Sequence, residues 1–242
     1  MRLFLSAVKL IKRKLIAFGL LLIFCTITAI IIERNNAEIK VIETSGEGRG
    51  PLLIIDAGHG GADGGTSSKN GMLESEVNLA IAQKLDCIMA FMAYDCVMTR
   101  TSNALDYPEG LTIAQKKAWD QSNRISLINS FPNAVLLSIH QNAYPDSRPC
   151  GVQVFYSKTD GSKEFAELLQ SGLISAFYPE SRRLAAPISD KILIMKRAQC
   201  PAVLVECGFL SNDSDANKLS SDEYRAKISM VLAASYIQYI SA

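Results

Sequence analysis

Three side chains that can bind a metal ion stand at separate points of this sequence. His59 and His140 are its only histidines, in the segments IIDAGHGGADGG and LLSIHQNA, and Glu74 lies between them in GMLESEVNLA. Two imidazoles and one carboxylate are a ligand set of catalytic zinc sites, which keep a fourth position open. The histidines are too far apart for the H-E-x-x-H pattern, so the fold would have to assemble the site. The alternative is two exposed loop histidines and an ordinary first-turn glutamate.

A fourth candidate, Glu206, ends the apolar run 202–205 in PAVLVECGFLSN. A carboxylate at the end of a buried strand is costly unless it is paired or coordinates a cation. Beside a metal site, Glu206 could take a proton from water and pass it to a leaving amine. These residues together suggest a metal hydrolase. The alternative is an edge-strand acid in solvent, which the apolar run and the following Gly208-Phe209 weaken.

The elements that must position these residues alternate between strands and helices. His59 and His140 each follow an apolar run typical of a buried parallel strand, at 52–55 and 134–139. The predicted strands are 52–56, 95–99, 134–140, 151–157, 191–195 and 202–206, and the predicted helices are 74–92, 111–129, 162–177 and 221–240. This alternation predicts an α/β domain with a mainly parallel sheet covered by helices on both faces. Strand ends are where such sheets build their sites.

The glycine-rich loop after the first predicted strand does not match the nucleotide-binding templates. The segment GHGGAD, which starts at Gly58, has Asp63 where the third glycine of G-x-G-x-x-G belongs. Thr66 follows the next glycines without the lysine of a P-loop. We therefore expect these glycines to allow a close approach to a metal ligand or a positive φ.

The N-terminal part of the chain has the pattern of an export segment. Residues 1–14 are basic, 15–32 are apolar and uncharged, and 33–50 form a polar, glycine-containing stretch that we predict to be a stalk. The positive charges predict that the N-terminus stays in the cytoplasm and that the rest is exported. The lack of a convincing small-residue cleavage site favours a membrane anchor over a cleaved signal peptide. The predicted catalytic domain is 51–242.

The exported part would carry a small negative charge. Five of the 25 basic residues precede position 15, which leaves 20 against 24 acidic residues, or −4. This balance gives no support for binding nucleic acid or an anionic membrane surface.

The cysteines of the exported part are odd in number and form no C-x-x-C motif, which argues against a full disulfide framework. We expect structural thiols instead. These residues are Cys87, Cys96, Cys150, Cys200 and Cys207.

In this order, the motifs DAGHGGADGG, ESEVNLA, SIHQNA and PAVLVECGFLSN make the sequence resemble the zinc-dependent N-acetylmuramoyl-L-alanine amidase family. The resemblance extends from about Leu52 to the C-terminus. It implies that His59, Glu74 and His140 bind Zn²⁺ and that the sheet is twisted and mixed. It further implies that Glu206 is the catalytic glutamate. The implied substrate is peptidoglycan, cut at the amide between N-acetylmuramic acid and the L-alanine of the stem peptide.

Several polar residues near the motifs are candidate substrate contacts, although solvated loop residues are the alternative for each. They are Asn142, Tyr144, Lys196 and Arg197.

Within the family, a lone anchor with a bare catalytic domain is most similar to a sporulation amidase. That likeness, carried by GVQVFY and VECGFLSN, implies a role in forming muramic-δ-lactam in the spore cortex for germination. Two alternatives stay open. One is a zinc peptidase of the stem peptide, which its products would reveal. The other is a peptidoglycan-binding protein that is non-catalytic or that needs an activating protein partner.

Overall fold

A sheet of six strands and six helices make up residues 50–242, the part of the chain that this computed structural model describes. In chain order the strands are β1 (Leu52–Ala57), β2 (Cys96–Met98), β3 (Ala134–Asn142), β4 (Gln153–Tyr156), β5 (Ala186–Pro187) and β6 (Ala202–Phe209). The helices are α1 (Glu74–Phe91), α2 (Ile113–Asn129), α3 (Ser162–Phe177), α4 (Leu193–Arg197), α5 (Asp213–Ser220) and α6 (Asp222–Ile240).

The strands lie in the order β2-β1-β3-β6-β4-β5. Strands β2, β1, β3 and β6 run parallel to one another. Strand β4 pairs antiparallel with β6 and parallel with β5. The predicted α/β class with a mixed, mainly parallel sheet is therefore confirmed.

Alternate residues of the central strands pack into two different cores. In β3, the odd-numbered residues of 135–139 pack with α1, α3 and α6 in the larger core. Leu136 instead packs with Ile128 of α2 and Met195 of α4. Helices therefore cover both faces of the sheet, as the alternation of elements predicts.

The same alternation decides on which face the candidate site lies. Ser138 and His140 follow Leu136 on the face covered by α2 and α4, since side chains of a strand alternate between faces. The register pairs Asp56 with Ser138 and His140 with Glu206. Four polar residues at the carboxyl ends of β1, β3 and β6 consequently share one face.

The predicted strand at 191–195 is wrong. Residues Leu193–Arg197 form α4, and the short edge strand is β5 instead. Within the apolar run, Met195 is buried, whereas Ile192 and Leu193 are 40% and 39% exposed. A short apolar run has no periodicity that separates a strand from a helical turn. Helix α5 was also not predicted, because its sequence is mostly polar.

The predictions for 1–14, 15–32 and nearly all of the stalk at 33–50 lie outside the described residues. Within residues 50–242, no helix combines the length and apolar character needed to cross a membrane.

The cysteines of the described domain are all free thiols. Cys200 and Cys207 are buried, Cys96 is half-buried, and Cys87 and Cys150 are exposed. Burial raises the pKa of Cys207 far above its ordinary range, which keeps this thiol protonated and unreactive.

Candidate active site

His59, Glu74 and His140 converge at the carboxyl ends of β1 and β3. Glu74 Oε1 lies 3.0 Å from His140 Nδ1 and 3.3 Å from His59 Nε2. One potential ligand atom of each residue lies within 4.8 Å of the other two. The imidazole ring centroids are 5.0 Å apart, with an angle of 76° between the rings. The structure thus brings together the three residues predicted to bind a metal.

Glu74, the first residue of α1, is fixed from two sides. Its Oε2 accepts a hydrogen bond from the N–H of Thr66 at 3.0 Å, and its Oε1 accepts one from the N–H of Gln141 at 3.1 Å. Burial raises the pKa of Glu74, but hydrogen bonds and charge interactions with His140 and His59 outweigh this effect and hold the pKa well below its usual range. Glu74 is therefore ionised at neutral pH.

His140 is positioned by backbone pairing and by close packing. It lies within β3, opposite Glu206 of β6, and the neighbouring Ile139 carbonyl accepts a hydrogen bond from the N–H of Gly58 at 3.0 Å. A Cβ at Gly58 would lie 2.3 Å from both Cε1 and Nε2 of His140. Only glycine leaves room for this ring, which is the kind of close approach expected from the glycine-rich loop.

His59 lies on the loop after β1, where its φ of 61° is in the left-handed region that non-glycine residues rarely adopt. Two buried arginines hold this backbone. Arg124 of α2 donates from Nη2 to His59 O at 2.6 Å and from Nη1 to Ala57 O at 2.7 Å. Arg100 donates from Nη2 to Gly58 O at 3.0 Å and from Nε to Ala57 O at 2.8 Å.

Asp56 balances the buried charge of Arg124. Its Oδ1 accepts hydrogen bonds from Arg124 Nη1 at 2.9 Å and Thr99 Oγ1 at 2.7 Å, and its Oδ2 accepts one from Ser138 Oγ at 2.6 Å. Burial raises the pKa of Asp56, but the charge of Arg124 and these hydrogen bonds outweigh burial and lower the pKa to about 2. Arg124 Nε also donates to Asp120 one turn earlier on α2 at 3.0 Å. The buried charges are thus paired and hydrogen-bonded, as buried charges require.

Asp63 and Lys117 continue this charged network toward the surface. Asp63 Oδ2 lies 3.0 Å from His59 Nδ1, and Asp63 Oδ1 lies 2.9 Å from Lys117 Nζ and accepts from the N–H of Gly65 at 3.2 Å. Burial lowers the pKa of His59, but the two carboxylates of Glu74 and Asp63 raise it by more, and its net shift is upward.

Glu206 faces the site from β6. Its Oε2 is buried and has no hydrogen-bond partner among the described residues. Burial is the main cause that raises the pKa of Glu206 to about 7, with His140 opposing the shift and Glu74 adding to it. A carboxyl group with a pKa near neutrality, beside a cluster of potential metal ligands, is suited to general acid–base chemistry.

The donor chemistry of this cluster fits a zinc ion. Two imidazole nitrogens and one carboxylate oxygen are one of the ligand sets of catalytic zinc. The unpartnered Oε2 of Glu206 adds a proton acceptor without belonging to the set. His59, Glu74 and His140 are therefore the residues that would hold the metal.

These residues line a cleft of about 400 Å³. Lys117 and Gln121 of α2 and residues 191–194 also line the cleft. Asn142, the last residue of β3, is a further lining residue.

Three of the four predicted substrate contacts lie elsewhere in the described part of the chain. Tyr144 is 60% exposed, and its N–H donates to Ser211 Oγ at 3.0 Å. Lys196 borders a separate depression, and the Arg197 carbonyl accepts from Asn129 Nδ2 at 3.0 Å. Of the predicted contacts, the cleft lining in residues 50–242 includes Asn142 alone.

Sequence patterns do not single out five further residues of the site: Asp56, Asp63, Arg100, Arg124 and Lys117. Asp56 carried a usable signal, because it is an ionisable residue that interrupts the apolar strand LLIIDA. The arginines carried none, since a basic residue on a helix or after a strand is ordinarily solvated. Their role depends on the packing of α2 and of the β2 edge against the His59 loop.

Comparisons with known proteins find amidases of the cell wall. Residues 53–237 match the family described as N-acetylmuramoyl-L-alanine amidase. The germination-specific N-acetylmuramoyl-L-alanine amidase of Bacillus subtilis (strain 168) is 31% identical over 194 residues, which span 79% of this chain and 81% of that protein.

Solved structures of amidases have the same fold. The CwlD amidase from Clostridioides difficile, in complex with the GerS lipoprotein, has a TM-score of 0.75 and 33% identity, with 79% of this chain and 98% of that chain covered. The N-acetylmuramoyl-L-alanine amidase from Clostridium difficile 630 has a TM-score of 0.69 and 28% identity, with 80% and 98% covered.

Proposed function

Because the chain belongs to the N-acetylmuramoyl-L-alanine amidase family, it is a peptidoglycan amidase, and we propose that it uses zinc and acts on the spore cortex. The bond that it cuts joins the lactyl group of N-acetylmuramic acid to the L-alanine that begins the stem peptide. The products are a free carboxylate on the sugar and a new amino terminus on the peptide.

The convergence of His59, Glu74 and His140 beside Glu206 carries the zinc proposal. When bound by these three residues, zinc supplies a Lewis acid that polarises the scissile carbonyl and makes water more acidic. Protein contacts fix Glu74 within this cluster, since it accepts hydrogen bonds from two backbone N–H groups. Such preorganisation avoids reorganisation during the reaction.

Glu206 moves the proton at its Oε2. This atom is buried and has no hydrogen-bond partner within residues 50–242, and the pKa of about 7 lets the carboxyl group both accept and donate a proton near neutral pH. We propose that Oε2 takes a proton from the attacking water as the water oxygen bonds to the carbonyl carbon. The carbon–nitrogen bond then breaks, and Oε2 gives the proton to the leaving nitrogen of L-alanine.

We propose substrate contacts both inside the cleft, next to the metal-binding cluster, and outside it. Asn142 lines the cleft and is suited to a contact next to the scissile amide. Lys196 and Arg197 lie beyond the cleft lining of the described domain, so they could contact only a substrate that extends past it, as a glycan strand does.

We propose that the chain acts in spore cortex maturation, through muramic-δ-lactam formation. The Bacillus subtilis relative, named as germination-specific, supports a role in germination. The CwlD structure also contains the GerS lipoprotein. We propose that this chain likewise takes an activating protein partner. The basic and apolar segments at 1–14 and 15–32 support export with a membrane anchor, which places the domain where peptidoglycan is built.

The substitution Glu206→Gln tests the proton-transfer role. We expect kcat to fall by roughly 10²–10⁴-fold, the usual contribution of a general acid–base residue, while one zinc ion per chain is retained. The readouts are zinc content and the release of L-alanine amino termini from purified peptidoglycan, with and without a partner protein. Glu223→Gln is the matched control, because Glu223 is an exposed glutamate paired with Lys227 on α6.

Wild-type activity in Glu206→Gln would contradict the mechanism, and loss of zinc would make Glu206 a ligand instead. Cuts within the peptide would identify a peptidase. The cortex role is tested separately by deleting the gene in the native host. We expect spores whose cortex lacks muramic-δ-lactam, and an unchanged cortex would exclude that role.

A further inference from the structure

The loop that carries His59 also places the carboxylate of Asp63 next to the imidazole ring of His59, on the side opposite Glu74. The N–H of Gly60 donates to Asp63 O at 2.7 Å, and the N–H of Asp63 donates to Gly60 O at 2.9 Å, which closes a tight turn. This turn brings Asp63 Oδ2 within 3.0 Å of His59 Nδ1. The other ring nitrogen, Nε2, lies 3.3 Å from Glu74 Oε1.

A neutral imidazole carries its proton on one nitrogen and a lone pair on the other. The carboxylate of Asp63 can only accept a hydrogen bond, so it favours the form of His59 with the proton on Nδ1. That form leaves the Nε2 lone pair available to a metal. Glu74 Oε1, on the other side of the ring, favours a proton on Nε2 instead, so Asp63 opposes the protonation that would block metal binding. A hydrogen-bond acceptor behind a histidine ligand fixes its tautomer and ring orientation in this way.

Asp63 is itself held by two donors. Lys117 Nζ lies 2.9 Å from Asp63 Oδ1, and the same oxygen accepts from the N–H of Gly65. The other histidine is held differently, because Gly58 packs against the Cε1–Nε2 edge of His140. The carboxylate behind the ring is thus specific to His59, the ligand that lies on a loop.

We infer that Asp63 is a positioning residue that presents His59 Nε2 to the metal, and that Lys117 holds Asp63 in place. This inference rests on the proposed zinc function. It concerns side chains that are 24% and 46% exposed, so changing them leaves no hole in the core.

Two substitutions of Asp63 distinguish the effect of its carboxylate charge from its effect on the shape of the loop. Asp63→Ala removes every side-chain acceptor, whereas Asp63→Asn removes the charge and keeps an oxygen for the N–H of Gly65. We expect the zinc dissociation constant to rise by roughly 10–100-fold in Asp63→Ala, the usual effect of losing such a partner, and by less in Asp63→Asn. Competition with a chromophoric chelator measures it on the full chain.

The tautomer of His59 supplies a readout that needs neither zinc nor activity. The chain has only two histidines, so an ¹⁵N spectrum of the metal-free protein contains only two imidazoles. His59→Gln assigns them. Because Asp63 faces Nδ1 and Glu74 faces Nε2, we expect the neutral ring of His59 to populate both tautomers in the wild type and to shift toward the Nε2–H form in Asp63→Ala.

Asp146→Ala is the matched control. Asp146 accepts a hydrogen bond from the backbone N–H two residues on, at 2.9 Å, and pairs with Arg148, but it touches no site residue. This variant should keep the wild-type zinc affinity and spectrum. Wild-type values of both in Asp63→Ala would overturn the inference. A wild type that binds no zinc, together with the shift toward the Nε2–H form in Asp63→Ala, would instead refute the zinc function and support the role of Asp63.

Discussion

His59 and His140 contribute the same kind of nitrogen to one site, but the molecule holds them by different means. His140 belongs to β3, where backbone pairing and the contact with Gly58 fix its ring. His59 lies on a loop with a left-handed backbone and depends on the charged side chains of Arg100, Arg124 and Asp63. We call the surroundings of His140 on β3 the strand side of the site, and the surroundings of His59 the loop side. The strand side should be sensitive to changes of side-chain volume, and the loop side to changes of charge.

Removing the buried charge of Arg124, which holds the His59 loop, should have the largest effect on stability. In Arg124→Met, Asp56 loses its buried partner, the His59 carbonyl loses the Arg124 donor, and the Ala57 carbonyl keeps the donor from Arg100. We expect the free energy of unfolding to fall by about 3–5 kcal/mol, as when one member of a buried ion pair is removed. Urea unfolding of the metal-free protein measures this loss.

Arg148→Met is the control for that experiment, because its pair with Asp146 is on the surface. It should leave the free energy of unfolding close to that of the wild type, because an exposed ion pair contributes little. A similar loss in the two variants would mean that the loop side does not depend on its buried charge.

A change of volume tests the strand side. Gly58→Ala would place a Cβ 2.3 Å from two atoms of the His140 ring and displace it. We expect kcat/KM to fall by about 100-fold, the scale expected for a misplaced catalytic group, with a circular dichroism spectrum like that of the wild type.

Gly64→Ala in the same loop is the matched control, since a Cβ there would meet Leu73 at an ordinary 3.4 Å. It should retain most of the activity. Equal activity in both variants would show that the His140 ring can move without consequence.

Acid should weaken the loop side first, through Asp56. The folded-state pKa of Asp56, about 2, lies below its ordinary 3.8, so the folded protein binds fewer protons than the unfolded one between these values. The stabilisation is complete above pH 3.8 and is lost as the pH falls toward and through 2. It amounts to about 2 kcal/mol, at 1.36 kcal/mol for each pKa unit.

Unfolding free energies of wild type and Asp56→Asn, measured across this pH range, test that expectation. The advantage of the wild type should shrink as the pH falls from about 4, because asparagine does not titrate. Parallel pH profiles would contradict it.

The two sides also differ in how far the sequence predicts them. The apolar runs before His140 and Glu206 predict central strands, and strand ends meet at one edge of a parallel sheet, so their proximity follows from pattern alone. The contacts that hold the His59 loop cannot be predicted from the sequence pattern. Arg124 is 67 residues from Ala57 along the chain, and only tertiary packing brings the two together.

The wrong strand at 191–195 has a similar cause. Alternation and length cannot distinguish KILIM as an edge strand from a helical turn. In the structure, Met195 is buried in the core beneath α2 and Ile194 packs against that core, while Ile192 and Leu193 remain partly exposed at the cleft.

The alternation of side chains in the central strands limits how relatives of this chain can differ in length. His140 faces the site, and the preceding Ile139 lies in the larger core. Inserting or deleting one residue within β3 would exchange the two faces beyond that point, burying an imidazole and exposing an isoleucine to the cleft. Insertions and deletions should therefore be restricted to the connections, such as residues 143–152, and β1, β3 and β6 should align without gaps across the family.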